Sequence, residues 1–353
     1  MENNSRRIAL KFFFTACLMS AMYYFVMETM RRPVEVDGGY REIMGTFARI
    51  VTVAKNTRQA RRCIEAGFDE IRRIDSVMSD YKSDSELSKV NREAYANPVK
   101  VSDELFGILQ NSVEYSWLTN GAFDITVGPL VDLWHKAGEA NIMPDENAIT
   151  EAKARVGYEK LILDANAQTV RFAVEGMRLD LGGIGKGYAV DMAVEVMQCS
   201  GAIAGMVDSG GNIRCFGKPA NKDVWLVGVQ DPKAANNEVE TGQVLMILKL
   251  SPDKIGMAVA TSGDYRRFVM VAGKKVSHII DTNTASGASK LSSDTIIAKT
   301  AVDADALSTA VNVLGAEKGL ALIEAMPDTE AILISSNAKD EIIKTKGAEE
   351  YIQ

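Results

Sequence analysis

The chain has 353 residues, 46% hydrophobic and 25% charged, a composition typical of a globular protein rather than a disordered one. Its formal net charge of −7, without a basic run interleaved with aromatic residues, argues against a nucleic-acid-binding surface. Two histidines, and four cysteines that form no Cys-x-x-Cys pair, disfavour a zinc site. Oxygen ligands, and therefore Mg²⁺ or Ca²⁺, are the default for any metal.

Residues 1–30 are predicted to be a signal or membrane segment. An apolar stretch from Phe12 to Met27 follows basic residues, as in a signal peptide or signal anchor. Its length approaches the roughly 20 residues that span a bilayer. Cys17 follows a poor lipoprotein-like cleavage box, so lipidation is an alternative to the preferred uncleaved anchor, and a buried core helix is a third reading. Anchor and lipoprotein both place the folded part on the periplasmic, extracytoplasmic side of the cell inner membrane.

The first half of the chain mixes helical and extended patterns. The predicted elements are a linker over 31–41, a strand over 46–54, an amphipathic helix over 57–79, a polar loop and short helix over 79–91, a helix over 102–121, a hairpin over 160–172, and a strand, glycine turn and helix over 177–198.

Most runs between residues 204 and 298 alternate like strands. A helix starts at the stretch 301–311, and the sequences "EAILISS" and "EIIKTKG" predict two closing strands. Strands cluster in the second half and helices are scattered, so the sequence predicts an α+β fold rather than alternating βαβ units.

The helical stretch "AVDADALSTAV" (301–311) places polar residues in an apolar pattern. Asp305 and Thr309 are four residues apart, so their oxygens share one helix face. A carboxylate and a hydroxyl one turn apart suit a hard cation. Ordinary capping is the alternative at this point.

A glycine-rich turn, "DLGGIGKGYAVD" (180–191), precedes a predicted helix. Backbone amides and the positive helix end suit a phosphate or pyrophosphate. The pattern is not a dinucleotide fingerprint, because Tyr188 stands where the third glycine is required, and not a Walker loop, because Gly187 follows Lys186. A tight structural turn with a surface lysine is the alternative.

Two further stretches carry chemistry-bearing residues. In "TNGAFDITVGPLVDLW" (119–134), Phe123 is suited to stack on a ring whose N–H groups Asp124 accepts; the alternative is a buried phenylalanine beside a turn-forming aspartate. In "SHIIDTNT" (277–284), His278 is a candidate base, or a core histidine with satisfied hydrogen bonds.

Taken together, these stretches resemble the ApbE family, the FAD:protein FMN transferases. The resemblance covers roughly residues 42 to 335, and its motifs occur in the family's order. The stretches that carry it are "MGTFARI" (44–50), "MSDYKSDSELSKVN" (78–91), "GAFDITVGPLVDLW" (121–134), "DLGGIGKGYAVD" (180–191), "VDSGGNI" (207–213), "ATSGDYRRF" (260–268), "SHIIDTNT" (277–284) and "DADALSTAV" (303–311).

The resemblance implies one ApbE-like catalytic domain over 42–353, built from two mixed α/β subdomains. Its members bind FAD with Mg²⁺, cleave the pyrophosphate, pass FMN to a threonine hydroxyl of a target flavoprotein and release AMP. By position, it assigns the flavin and adenine surfaces to Met44, Tyr81, Ala122, Phe123 and Asp124, the pyrophosphate surroundings to Gly182, Lys186 and Tyr188, the metal to the Gly185 carbonyl with Asp305 and Thr309, the reacting phosphate to His278, and a cofactor contact to Ile280.

Three positions depart from the family's usual pattern. Gly185 replaces the more common alanine but keeps the carbonyl, while Thr282 and Ala285 replace a proline and a glycine beside His278. The resemblance implies two partners, FAD and an acceptor flavoprotein of redox-pump or reductase-subunit type with an exposed threonine, and the amino-terminal segment adds the membrane. Hydrolysis of FAD to FMN and AMP, and FAD binding without turnover, are the alternatives.

Overall fold

The computed structural model describes residues 32–232, 243–254, 256–263, 268–336 and 341–353, together with 18–20 and 22. The predicted membrane segment, 1–30, lies almost entirely outside these residues. Within the described ranges, no helix has both the length and the apolar character needed to cross a bilayer.

The first half of the chain carries most helices and the second half most strands. In chain order the elements up to the glycine-rich turn are β1 Val34–Ile43, β2 Thr46–Ala54, α1 Thr57–Met78, α2 Glu86–Glu93, β3 Val99–Lys100, α3 Asp103–Leu118, α4 Gly128–Ala140, α5 Glu146–Ala154, β4 Leu161–Asp164 and β5 Thr169–Phe172. The later elements are α6 Gly185–Cys199, β6 Ala204–Ser209, β7 Asn212–Phe216, β8 Trp225–Gln230, β9 Val244–Leu250, β10 Ala258–Gly263, β11 Phe268–Val271, β12 Lys274–Ser277, β13 Ile280–Asp281, β14 Ser286–Gly287, β15 Leu291–Ala298, α7 Ala301–Leu314, α8 Ala316–Glu324, β16 Glu330–Ser335 and β17 Ile342–Lys344.

An eight-stranded antiparallel sheet, in the order β1-β2-β6-β7-β10-β15-β16-β17, organises the fold. Smaller sheets join β3, β5 and β4, and pair β8 with β9, β11 with β12 and β13 with β14. Helix α1 packs against α6, and α6 packs against α7, which also contacts β10 and β15. These contacts place the two helices with the predicted phosphate and metal residues side by side against the sheet.

The predicted α+β class is confirmed. The largest hydrophobic core takes residues from the eight-stranded sheet (Ala48, Val207), from α1 (Phe68) and from the three-stranded sheet (Val170, Phe172). The eight-stranded sheet, α1 and the three-stranded sheet therefore share one core, and the division into two subdomains stays a prediction.

The linker predicted over 31–41 is wrong from residue 34 onward, because β1 begins there. Its register with β2 shifts between Asp37 and Tyr40, a bulge that contains both glycines. Gly38 lies so close to α1 that a Cβ there would be 2.6 Å from Ile64 Cγ2, and Gly39 has φ +69°. The bulge and the close approach of α1 both favour glycine. The two glycines give this strand a composition that resembles a linker.

The strand predicted before the glycine-rich turn is also wrong. Arg178 forms an isolated bridge with Val127, and the neighbouring groups bond elsewhere. Asn91 donates to the Leu179 carbonyl at 3.0 Å and accepts from its N–H at 2.8 Å, and the Asp180 N–H donates to the Ile125 carbonyl at 2.8 Å. The segment is extended without joining a sheet. Helices α4, α5 and α8 lay outside the sequence prediction.

A buried carboxylate lies between the sheet and α7. Asp294, on β15, is fully buried and accepts hydrogen bonds from Ser308 Oγ at 2.7 Å and from Asn312 Nδ2 at 2.8 Å. Burial raises the pKa of Asp294 to about 7, against the lowering effect of its two hydrogen bonds. Since both donors lie on α7, this network fixes the helix against the sheet.

This carboxylate predicts a pH dependence of stability. Its folded-state pKa is raised, so the folded protein binds the proton more tightly than the unfolded chain, and the free energy of unfolding falls as pH rises from about 4 to about 7. Asp294→Asn should remove that component, so its urea midpoint should improve relative to wild type between pH 5 and pH 8. The exposed carboxylate variant Asp253→Asn is the control. Parallel profiles for wild type and Asp294→Asn would contradict the assignment.

Candidate functional site

The glycine-rich turn is shaped by its own backbone. Asp180 Oδ1 accepts the Gly182 N–H at 2.7 Å, and the Leu181 carbonyl accepts the N–H groups of Ile184 at 3.1 Å and Gly185 at 2.7 Å. Helix α6 then begins at Gly185, without a side-chain cap of its own. Its first turn therefore has amides that need an acceptor from elsewhere in the fold.

Asp305 of α7 supplies that acceptor. Its carboxylate is 4% exposed, and Oδ2 accepts the Gly187 N–H at 2.9 Å. Gly187 has to be glycine here, because a Cβ would lie 2.2 Å from the Ala301 carbonyl oxygen and 2.8 Å from Asp305 Cβ. A negative side chain at a helix amino terminus also interacts favourably with the helix dipole.

Lys186 completes the charge arrangement around Asp305. Its ammonium donates to the Gly182 carbonyl at 2.6 Å and lies 3.6 Å from Asp305 Oδ1. The same carboxylate is thus shared between a backbone amide on one oxygen and a cation on the other.

Asp191 of α6 makes the converse contact with α7. Its carboxylate accepts the N–H groups of Ala301 at 3.0 Å and Val302 at 2.9 Å, and the Arg214 guanidinium at 2.8 Å. Each of the two helices therefore receives a carboxylate from the other at its amino terminus. We call this pair of contacts the reciprocal caps.

Thr309 lies one turn beyond Asp305 and faces the glycine-rich turn. Its hydroxyl is 3.4 Å from the Gly183 carbonyl oxygen, and a Cβ on Gly183 would lie 2.8 Å from Thr309 Oγ1 and 3.3 Å from Phe123 Cε2. Residues of three of the predicted stretches, 119–134, 180–191 and 301–311, therefore meet at one place.

Phe123 is a buried phenylalanine and Asp124 forms a turn, as in the alternative reading of this stretch. Phe123 is 2% exposed and contacts Tyr115 edge-on with ring centroids 6.1 Å apart, and neighbouring Ala122 is buried too. Asp124 accepts hydrogen bonds from the Thr126 N–H at 2.8 Å and hydroxyl at 2.7 Å, and from the Tyr158 N–H at 3.0 Å. Burial raises its pKa, opposed by these bonds. Contact of this stretch with a flavin stays a prediction.

The loop after His278 reaches the same region. His278 is exposed between β12 and β13, whereas the Ile280 side chain is buried in the core around Trp134. Thr282 Oγ1 donates to the Gly121 carbonyl at 3.0 Å, so the two stretches are joined directly. A cleft of about 320 Å³ opens where they meet, lined in part by Gly121, Asp124 and Thr282.

The three family departures are accommodated by the structure. A Cβ at Gly185 would meet Leu181 Cβ at 3.7 Å, an ordinary contact, so alanine fits as well as glycine. Ala285 takes the positive φ of +57° that favours the family's glycine, and its carbonyl accepts the Trp134 indole N–H at 2.9 Å. Thr282 forms a hydroxyl bond that a proline does not offer.

Three other predicted residues lie around these loops. Met44 is on the two-residue turn between β1 and β2, with φ +55°, and Tyr81 is 78% exposed in the loop between α1 and α2. Tyr188 donates to Glu104 Oε1 at 3.2 Å, and burial raises its pKa. The roles that the resemblance implies for these three side chains stay predictions.

An acidic cluster borders Tyr81. Arg178 pairs with both Asp80 and Asp132, and burial together with the nearby Asp180 carboxylate raises the pKa of Asp80 to about 6. The cluster ties the loop after α1 to the segment that leads into the glycine-rich turn.

The predicted metal ligands fit a hard cation. Asp305 is a buried carboxylate whose Oδ1 faces the Lys186 ammonium, and Thr309 adds a hydroxyl on the same helix face. The Gly185 carbonyl belongs to the adjoining first turn of α6. In the described part of the chain no group of three His, Cys, Asp or Glu side chains is placed to hold a metal. The predicted ligand set differs from such a group, because it combines one carboxylate with a hydroxyl and a backbone carbonyl.

Sequence reasoning missed several residues that hold the site. The sequence patterns assign no role to three aspartates within the motifs 180–191 and 303–311, namely Asp180, Asp191 and Asp303. Asp303 accepts the Tyr115 hydroxyl and so ties α7 to α3, and burial raises the pKa of Tyr115. An aspartate two residues before a glycine pair is a turn signal that identifies Asp180, whose Oδ1 accepts the Gly182 N–H. Asp191 has the weaker signal of a carboxylate with apolar neighbours on both sides, Val190 and Met192.

Comparison with known proteins agrees with this geometry. The model of the ApbE family matches residues 44–333. The chain is 31% identical over 286 residues to the FAD:protein FMN transferase of Vibrio cholerae, covering 80% of this chain and 82% of the relative. It is 32% identical over 307 residues to that of Treponema pallidum, covering 83% and 82%.

Solved structures give the same result. The ApbE protein of Thermotoga maritima superposes with a TM-score of 0.79 at 30% identity, covering 91% of this chain and all of that one. The flavin transferase ApbE of Vibrio cholerae superposes with a TM-score of 0.74 at 27% identity, covering 90% and 99%. The chain belongs to the ApbE family.

The position of Lys186 predicts an effect on cation binding. An ammonium 3.6 Å from Asp305 Oδ1 competes with a divalent cation for that oxygen. Lys186→Gln should therefore bind Mg²⁺ alone roughly tenfold more tightly, as measured by the Mg²⁺ dependence of Tm.

Lys153→Gln serves as the matched control, because the Lys153 ammonium donates to the Asn283 carbonyl instead. Its Mg²⁺ affinity should equal that of wild type. Weaker Mg²⁺ binding by Lys186→Gln would show that the lysine supports the cation rather than competing with it.

Proposed function

We propose that this chain is a Mg²⁺-dependent FAD:protein FMN transferase. It cleaves the pyrophosphate of FAD, transfers FMN to a threonine hydroxyl of an acceptor flavoprotein and releases AMP. Family membership and the names of its relatives support the transferase class. The observation that carries the proposal is the junction of the glycine-rich turn, Lys186 and the buried Asp305.

The junction suits a pyrophosphate bound with a cation. Lys186 and the amino terminus of α6 supply positive charge for phosphate oxygens. Asp305, Thr309 and the Gly185 carbonyl would hold Mg²⁺, which when bound neutralises and orients those oxygens. Buried contacts on both sides keep these groups in place before the substrate arrives.

In the transfer, the threonine Oγ–P bond forms as the bridging P–O bond of the pyrophosphate breaks. The hydroxyl proton leaves to a base, and AMP departs with the electron pair of the broken bond. A hydroxyl is a poor nucleophile at neutral pH, so it needs alignment and a proton acceptor. We assign the role of this proton acceptor, the general base, to His278, whose exposed side chain is accessible to a threonine on another protein.

The acceptor is proposed to be a flavoprotein of redox-pump or reductase-subunit type. Its threonine must lie on an exposed loop in order to reach His278, because a buried side chain is not delivered to a surface residue of another protein. Water is smaller than any acceptor, so slow hydrolysis to free FMN accompanies the transfer.

One assay tests this function. Wild-type protein is incubated with FAD, Mg²⁺ and an acceptor that carries an exposed threonine, and free FMN, AMP and protein-bound FMN are measured by chromatography and mass spectrometry. We expect the acceptor to divert flavin from free FMN into bound FMN, with one AMP released per FMN. FMN that stays free across several acceptor sequences would replace the transferase by a hydrolase, and unchanged FAD would leave a binding protein.

Two variants assign roles in the same assay. Asp305→Ala should lower Mg²⁺-dependent turnover by about a hundredfold or more while the fold persists, since several kcal/mol of transition-state stabilisation are lost. His278→Ala should lower turnover more than FAD affinity. Wild-type turnover in the first, or a pure affinity loss in the second, contradicts the corresponding role.

We further propose that the amino-terminal segment anchors the enzyme on the outer face of the cell inner membrane. The apolar run from Phe12 to Met27 supports this placement. Removing residues 1–32 ends the deletion before β1 and leaves the sheet complete. The truncated protein should leave the membrane fraction and keep full activity. Retention in the membrane, or loss of activity in folded material, counts against a separate anchor.

A further inference from the structure

Asp191 is a buried carboxylate that links three elements of the fold. It is 5% exposed in the second turn of α6, yet both of its oxygens accept backbone N–H groups of α7. Arg214 of β7 balances its charge at 2.8 Å. The side chain therefore joins α6, α7 and the sheet at one point.

The proposed metal ligands are divided between the same two helices. The Gly185 carbonyl belongs to α6, while Asp305 and Thr309 belong to α7. A cation bound by all three needs a fixed spacing between the helices, because Mg²⁺ demands near-ideal geometry. That spacing is set by the contacts that cross between the helices.

Three further anchors of α7 do not reach α6, so the spacing depends on the two reciprocal caps, of which Asp305 is itself a proposed ligand. Thr300 caps the helix from within by accepting the Asp303 N–H at 3.2 Å, and Tyr115 ties Asp303 to α3. Asp294 holds Ser308 and Asn312 of α7 to the sheet. Asp191, by contrast, reaches from the very helix that carries Gly185 and Lys186.

We propose that Asp191 is a positioning residue for the metal and pyrophosphate site, which sets the offset of α7 relative to α6 so that their oxygen ligands match a divalent cation. This inference rests on the proposed function, because it concerns the same site. Groups that orient metal ligands typically change metal affinity by 10–100-fold.

Three variants separate positioning from simple stabilisation. Asp191→Asn is nearly isosteric, but its NH₂ group must face the N–H of Ala301 or Val302, since both oxygens of the carboxylate are accepting. Asp191→Glu keeps the charge and the acceptors but adds one methylene, so it retains a capping role while changing the helix offset. Tyr115→Phe removes a bond to α7 without touching α6 and is the control for a loss of stability alone.

Full-length wild type and the three variants are compared by two measurements. Urea unfolding in EDTA gives the stability of each protein without metal. The rise of Tm with MgCl₂ alone gives the Mg²⁺ dissociation constant. We expect both Asp191 variants to bind Mg²⁺ at least tenfold more weakly, while Tyr115→Phe loses stability and keeps wild-type Mg²⁺ affinity.

Wild-type Mg²⁺ affinity in Asp191→Glu would overturn the inference, and it remains measurable if Asp191→Asn does not fold. Equal weakening in Tyr115→Phe would also overturn it, because the effect would then follow stability alone. If wild type shows no Mg²⁺-dependent shift, the inference and the proposed metal fail together. If wild type binds Mg²⁺ and both Asp191 variants bind it equally well, the inference fails while the proposed function stands.

Discussion

The reciprocal caps are the constraint on which the site depends. The amino terminus of α6 has no cap of its own, and Asp305 of α7 accepts its Gly187 N–H, while Asp191 of α6 accepts two amides at the start of α7. Neither helix end satisfies its donors alone. The two helices are therefore fixed as a pair, and a carboxylate that closes one helix is at the same time the candidate ligand for a cation.

Buried polar groups between α7 and the sheet also hold α7 in place, at some cost in stability. Asp294 is held among buried groups by Ser308 and Asn312, and burial disfavours its charge and so raises its pKa. A leucine at this place would pack without that penalty. The network instead fixes which face of α7 meets the sheet, and thereby the direction in which Asp305 and Thr309 point.

Sequence predicted the parts of this arrangement that follow from local pattern. Asp305 and Thr309 share a face because the spacing of a helix dictates it, and α1 and the later strands followed from periodicity. What failed depended on partners distant in the chain. The glycines of β1 are explained by the approach of α1. Phe123 is buried against Gly183 and Tyr115, and its contact with a flavin stays a prediction. The role of Asp191 became visible when Ala301 and Val302 met it in space.

The contrast in exposure between Asp305 and His278 is compatible with the roles proposed for them. Asp305 is almost fully buried beneath the glycine-rich turn, whereas His278 lies exposed on a loop joined to Gly121 through Thr282. A charged phosphate and its cation gain most where water is excluded. A protein nucleophile, however, has to approach from solvent. The proposed transfer needs both environments side by side. The Thr282 bond joins the exposed His278 loop to Gly121, and Phe123 two residues further on packs against the glycine-rich turn.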